Sequence, residues 1–288
     1  MFVEPLKHEL TENAGVELSI LRLDLIHPVT GGNKIFKLKY NLLRAKEEGK
    51  ESLLTFGGPY SNHIAATALA GQENGFKTIG IIRGERITPL NKTLRFAEEC
   101  GMHLQFVSRE DYRKKETVEF LNKLKQQYPD AFMIPEGGNN LEGFKGAKEI
   151  LNNVSSDFDV VCCAVGTGTT LAGITASLKL HQQALGIAVL KGEEMLEGNV
   201  VSFLNSNANF KINSDYTFGG YAKITNELNN FVDDFIVNTN IRIEPIYTGK
   251  MFYGVFDLVE KGYFKRGTKI LCIHTGGLQY LDSIISGV

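Results

Sequence analysis

Short apolar runs alternating with helix-patterned segments constrain this chain more than any other feature. "VELSILRLD", "SLLTFGG", "KTIGIIRG", "HLQFVS", "AFMIPEGG", "DVVCCAVGTG", "ALGIAVLKG" and "KILCIHTGG" read as strands. Between them, "NKIFKLKYNLLRAKEEG", "SNHIAATALAGQENG", "LNKTLRFAEECG", "KKETVEFLNKLKQQY", "FKGAKEILNNV", "TTLAGITASLKL" and "GKMFYGVFDLVEKG" read as helices. Strands that are apolar throughout, not at every second residue, belong to parallel sheets covered on both faces. Right-handed crossovers would join them. The expected fold class is therefore α/β, with open, twisted, mostly parallel sheets flanked by helices. There are more strands than one small sheet needs, so two sheets are expected. Boundaries near Lys37 and Gly138 divide the chain into a smaller α/β domain, 38–138, and a larger one, 1–37 plus 139–288. With 288 residues, 43% of them hydrophobic, both can bury a core. The asparagine-rich stretch 191–230 is less regular than the rest.

Several function classes are excluded by what is missing. The formal net charge is −2 and no basic stripe stands out, so nucleic acid is not an expected partner. No apolar run is long enough for a membrane span, and the start "MFVEPLKHELTENAG" does not read as a signal peptide. A cytoplasmic protein is the expectation. Cys100, Cys162, Cys163 and Cys272 have no metal-ligand spacing, so no metal is expected and reduced core thiols are the plain reading.

Glycines collect where chemistry is expected. In open α/β sheets, ligands sit beyond the carboxyl ends of the strands. "TFGGPYSNH", "IPEGGNN", "AVGTGTTLAG" and "IHTGG" all fall there. In "AVGTGTTLAG", backbone N–H groups and a helix N-terminus converge on one spot, and threonine hydroxyls add donors. That is an anion site. It is not a Walker loop, since no Lys-Ser or Lys-Thr pair closes it. Nor is it a G-x-G-x-x-G turn, because Leu171 stands where the last glycine would be. A fifth cluster, "VTGGNKIFKLKY", delivers Lys34 at the first turn of a helix. A presented lysine plus a separate phosphate cradle points to pyridoxal phosphate, which joins a lysine and needs its phosphate held apart.

The motifs "GGNKIFKLKY", "GGPYSNH", "PEGGNN", "VGTGTTLAG", "GGYAK", "PIYTGK" and "HTGG" resemble, in order, those of the pyridoxal-phosphate enzymes that include 1-aminocyclopropane-1-carboxylate deaminase and D-cysteine desulfhydrase. The resemblance runs from about Gly31 to Gly277. It implies the tryptophan-synthase-β-like fold, fold type II, with the larger domain holding the cofactor. It further implies a small amino-acid substrate and a homodimer. Lys34 matches the lysine that joins the cofactor. Ser61 matches a serine beside the substrate carboxylate that assists proton transfer, and Asn62 an asparagine bonding the cofactor's 3′-oxygen. Thr167, Gly168, Thr169 and Thr170 match the phosphate loop. Tyr221 and Tyr247 match two active-site tyrosines. The sequence departs from the family at Phe36, where arginine is common, at Lys39, where glutamate is, and at Pro59-Tyr60.

Two positions separate the family's activities. The deaminases carry glutamate and leucine where Thr248 and Thr275 stand here, and both threonines match the desulfhydrase pattern. A carboxylate beside the pyridine nitrogen favours its protonated, strongly electron-withdrawing form, and a hydroxyl does not. The expected reaction is therefore α,β-elimination on D-cysteine or a similar β-substituted D-amino acid. Lys34 is its general base, and pyruvate, ammonia and sulfide are its products. A deaminase acting on 1-aminocyclopropane-1-carboxylate is the first alternative. A non-catalytic pyridoxal-phosphate binder is the second, and a nicotinamide oxidoreductase is disfavoured by the missing third glycine. His63 is left out of the chemistry, and His274 is read as packed. The charge-rich "REDYRKKETVE" is read as a solvated face.

Overall fold

A computed structural model of the chain describes residues 2–27, 30–204 and 208–278. Among the described residues the chain forms ten strands, eight of them from the apolar runs: β1 (Val3–Leu6), β2 (Glu17–Arg22), β3 (Ser52–Gly57), β4 (Lys77–Arg83), β5 (Met102–Val107), β6 (Ala131–Ile134), β7 (Val160–Val165), β8 (Gln183–Ala188), β9 (Phe210–Asn213) and β10 (Lys269–His274). They build two sheets. One has the order β5-β4-β3-β6, and the other β1-β2-β10-β7-β8-β9. Every pair is parallel except β1 with β2. Central strands such as β3 and β7 are buried at every residue after the first, as helices on both faces require.

Two segments depart from expectation. β1 was not anticipated, because "VEPL" is short and contains Pro5. As an edge strand it tolerates a residue with no N–H to donate. The irregular stretch 191–230 contains the helix Glu193–Val201, strand β9 and the start of the helix Asn226–Thr239. The four cysteines are buried and form no disulfide. Among the described residues, no helix is long and apolar enough to cross a membrane.

Two backbone contacts fix the position of the Lys34 turn. The helix Asn33–Glu47 crosses the helix Leu141–Ala147 at Gly146, where a Cβ would lie 1.7 Å from the Phe36 carbonyl oxygen. On its other side, Gly32 bridges Gly276, and the Asn33 N–H donates to the Thr275 carbonyl at 3.2 Å. Gly276 has φ +77°, and a Cβ there would meet the Gly31 carbonyl oxygen at 1.8 Å. The "GGNK" and "HTGG" turns are thus held together by main chain, although some 240 residues apart by their numbers.

Candidate active site

The turns that follow β3, β6, β7 and β10 converge with the Lys34 turn around a cavity of about 610 Å³. Lys34, Ser61, Asn62, Thr167, Gly168, Thr170, Tyr221, Tyr247 and Thr275 all line it. Lys34 is half-buried, and its Nζ donates to Asn33 Oδ1 at 3.1 Å. Asn33 in turn donates from Nδ2 to Thr170 Oγ1 at 2.8 Å, so one amide ties the lysine to the anion loop. Burial pushes the Lys34 ammonium down to about 8. Ser61 caps the helix Asn62–Asn74, its Oγ accepting from the Ile64 N–H at 3.4 Å. Tyr221 and Tyr247 meet edge to face with ring centres 6.0 Å apart. Burial pushes both phenols up, so each stays a proton donor at neutral pH.

Two threonines of these motifs turn their hydroxyls away from the cavity. Thr248 is fully buried and stands outside the cavity, its hydroxyl 3.2 Å from Glu244 Oε1. Glu244 also accepts from the N–H groups of Ile246, Tyr247 and Thr248, so it caps the helix Thr248–Glu260 from below. Thr169 is likewise buried and donates to Asn139 Oδ1 at 2.5 Å, bracing the anion loop from behind. A threonine at a helix start reads the same from sequence whichever way its hydroxyl turns.

Three residues were missed. Lys37 is 1% exposed, and the only hydrogen-bond partner of its Nζ among the described residues is the Thr167 hydroxyl, at 3.4 Å. Burial and the neighbouring Lys34 push its ammonium well down. Its signal was its place three residues after Lys34, on the same helix face. His63 is also buried, and it lines the cavity. Thr55 donates its hydroxyl proton to the Ile134 carbonyl, so the contact at 2.9 Å requires His63 Nε2–H to be the donor. His63 Nδ1 is left as an unpartnered acceptor, on a ring that burial and the two lysines keep neutral. Lys250, the last residue of "PIYTGK", is fully buried. It donates to the carbonyls of Val189, Thr217 and Gly220 at 3.2, 2.8 and 2.7 Å. It thereby pins the loop that presents Tyr221, in which Phe218 and Ala222 have φ of 51° and 54°. His274 is packed as read, its Nε2 2.7 Å from the Arg242 carbonyl oxygen.

A family model described as "Pyridoxal-phosphate dependent enzyme" matches residues 5–276. The chain belongs to this family. It is an enzyme of fold type II, and pyridoxal phosphate is its cofactor. The nicotinamide and non-catalytic readings fall. A Pyrococcus horikoshii protein named "Putative 1-aminocyclopropane-1-carboxylate deaminase" is 31% identical, over 96% of this chain and 90% of its own length. An Arabidopsis thaliana protein named "Bifunctional D-cysteine desulfhydrase/1-aminocyclopropane-1-carboxylate deaminase, mitochondrial" is 29% identical, over 92% of this chain and 73% of its own. A solved structure described as an "ACC deaminase homologue" superposes with a TM-score of 0.84 at 30% identity, covering 99% of this chain and 92% of that one.

The cavity fits the cofactor. Lys37, a deeply buried amine with only a neutral hydroxyl in reach, would regain its charge beside an anion at the start of the helix Thr169–Ser177. Thr167, Gly168 and Thr170 surround the same place. Pyridoxal phosphate provides that anion. Lys34, with an ammonium lowered to about 8, is a free amine in roughly one molecule in ten at pH 7 and nine in ten at pH 9. Uptake of cofactor by the empty protein, followed by absorbance, is expected to quicken roughly tenfold over that interval and then level off. A rate still climbing tenfold per unit above pH 9 would show a lysine of ordinary basicity.

Proposed function

We propose that this enzyme catalyses α,β-elimination on D-cysteine or a similar β-substituted D-amino acid, releasing pyruvate, ammonia and sulfide. The observation that carries the reading is the chemistry of the cavity wall. Thr275 lines it, and Thr248 is tied to Glu244 outside it. The carboxylates that line the cavity, Glu116 and Glu136, lie 3.4 and 3.3 Å from the Lys115 ammonium. Among the described lining residues, no unpaired carboxylate remains to keep a pyridine nitrogen protonated. Pyridoxal phosphate, when bound, supplies an electron sink for the charge left by loss of the Cα proton. Backed by a hydroxyl, that sink is the weaker kind, and it suffices where a thiolate leaves from Cβ.

The chain's own groups divide the remaining work. Lys34 holds the cofactor and, once free, removes the Cα proton. An amine poised near 8 is suited to that at neutral pH. Thr167, Gly168, Thr170 and Lys37 hold the phosphate. Asn62 would take the 3′-oxygen and Thr275 the ring nitrogen, and Tyr247, with Tyr221 against it, would pack on the ring. Ser61 receives the substrate carboxylate and relays a proton. The division into domains 38–138 and 1–37 plus 139–288 belongs to the same proposal. Its support is that β3 to β6 all lie within 52–134. A homodimer is proposed on the family resemblance alone.

The second reading is deamination of 1-aminocyclopropane-1-carboxylate to 2-oxobutyrate and ammonia, the activity named for the Pyrococcus horikoshii relative. The test is turnover of D-cysteine, L-cysteine and the cyclopropane by the holoenzyme, with pyruvate, sulfide and 2-oxobutyrate assayed. Pyruvate and sulfide from D-cysteine are expected, with kcat/KM at least about tenfold above that for 2-oxobutyrate formation. The reverse ratio would overturn the assignment in favour of the deaminase.

A further inference from the structure

The stretch "REDYRKKETVE" is exposed at every residue but Tyr112 and Lys115, as a solvated face is. It walls a second cavity, of about 550 Å³, that shares Gly58, Arg83, Lys115, Glu136 and Tyr221 with the cofactor cavity. Its lining carries four cations, Arg83, Arg109, Arg113 and Lys115, against the single carboxylate of Glu136. The acids of the stretch that form ion pairs form them with its lysines and not with its arginines. Glu110 and Asp111 lie 3.6 and 3.3 Å from Lys114, and Glu116 lies 3.4 Å from Lys115. Glu136 is shared between Lys115, at 3.3 Å, and the Tyr112 hydroxyl, at 2.9 Å. Arg109 and Arg113 make no ion pair among the described residues.

Arg83 stands at the junction. It is the last residue of β4, so it lies beyond the carboxyl end of a parallel strand, where ligands bind in such sheets. Its guanidinium carbon lies 5.8 Å from the Tyr112 ring centre and 5.7 Å from that of Tyr221. Two aromatic faces hold the cation without consuming its N–H donors. Among the described residues those donors meet no hydrogen-bond acceptor and no carboxylate. Gly58 keeps the approach open, since a Cβ there would come within 3.3 Å of Arg83 Nη2.

We propose that Arg83, with Lys115, Arg109 and Arg113 around it, selects an amino-acid substrate that carries a second oxyanion on its side chain. The inference rests on the reading above and deepens it by naming the substrate class. A planar guanidinium offers paired donors that match a carboxylate, sulfonate or phosphate. Arg83 and Lys34 line the same cofactor cavity. The thiol of cysteine uses none of these cations.

The test is titration of the holoenzyme, followed by the change in its absorption spectrum, with matched pairs of each enantiomer. D-aspartate is set against D-asparagine, cysteate against cysteine, and O-phosphoserine against serine. At least one anionic member is expected to bind about tenfold or more tightly than its neutral partner. The winning pair identifies the oxyanion. Arg83→Gln is expected to remove that preference. Arg83→Lys, which keeps the charge and loses the fork, should retain part of it. Arg109→Gln with Arg113→Gln should reduce it severalfold and flatten its dependence on salt. Equal binding within every pair would overturn the proposal. So would an Arg83→Gln enzyme that loses affinity for both members alike, since that is a structural effect. Pyruvate from D-cysteine, measured on the same preparation, separates the two claims. Turnover without an anion preference sinks this inference alone. An Arg83-dependent preference without pyruvate sinks the elimination reading and leaves the substrate class standing.

Discussion

Lys34→Ala is expected to abolish turnover, by about ten-thousand-fold or more, and to leave the fold intact. The substitution removes both the group that anchors the cofactor and the base that takes the Cα proton. General-base catalysis alone is worth about a hundred- to ten-thousand-fold. Little stability is at stake, because the Lys34 Nζ makes one side-chain hydrogen bond, to Asn33, and burial already disfavours its charge. The melting temperature should stay or rise, while the yellow colour of the holoenzyme is lost. The experiment also decides between two lysines. Lys37 lines the same cavity but is drawn to Thr167 at the anion loop. A coloured, active Lys34→Ala enzyme would make Lys37 the anchor and overturn the assignment.

Gly146→Ala is expected to be strongly destabilising. In an ordinary helix interior, alanine would be favoured over glycine by about 1 kcal/mol. Here the added Cβ would stand 1.7 Å from the Phe36 carbonyl oxygen and 2.6 Å from its carbon. Both are backbone atoms in the helix that presents Lys34, so no rotamer change relieves the clash. The helices must part, and overpacking of this kind costs about 3 kcal/mol. The clash therefore outweighs the propensity. With about 2 kcal/mol net, thermal unfolding should shift down by roughly 4–8 °C. Activity should fall as well, because Lys37 follows Phe36 directly and Lys34 lies less than a turn before it. An unchanged melting temperature would mean that the two helices are not packed this closely.

How far the sequence reached can be followed element by element. The alternation of apolar runs with helical segments specified parallel sheets, because a strand buried on both faces needs apolar side chains at every position. The glycine turns beyond β3, β6, β7 and β10 were legible for the same kind of reason. A turn that brings backbone against a ligand or another chain segment has to discard its side chain. Lys34 stood out only through that company. Pro5 hid β1, since proline is compatible with a strand only at an edge, and an edge is a property of the sheet.

Local patterns by themselves determined eight of the strands, most of the helices between them, and the glycine turns at the strand ends. Tertiary structure decided which side chains share a space. It turned Thr248 and Thr169 away, toward Glu244 and Asn139, and brought Lys37 and His63 in. It also made a cavity wall of a stretch that reads as solvent-facing, because Arg109, Arg113 and Lys115 meet Arg83 and Tyr221 only when β4, the 109–115 segment and the loop pinned by Lys250 come together. Hydrogen-bond direction and charge neighbourhood depend on contacts between residues far apart in the chain, and periodicity carries no record of those.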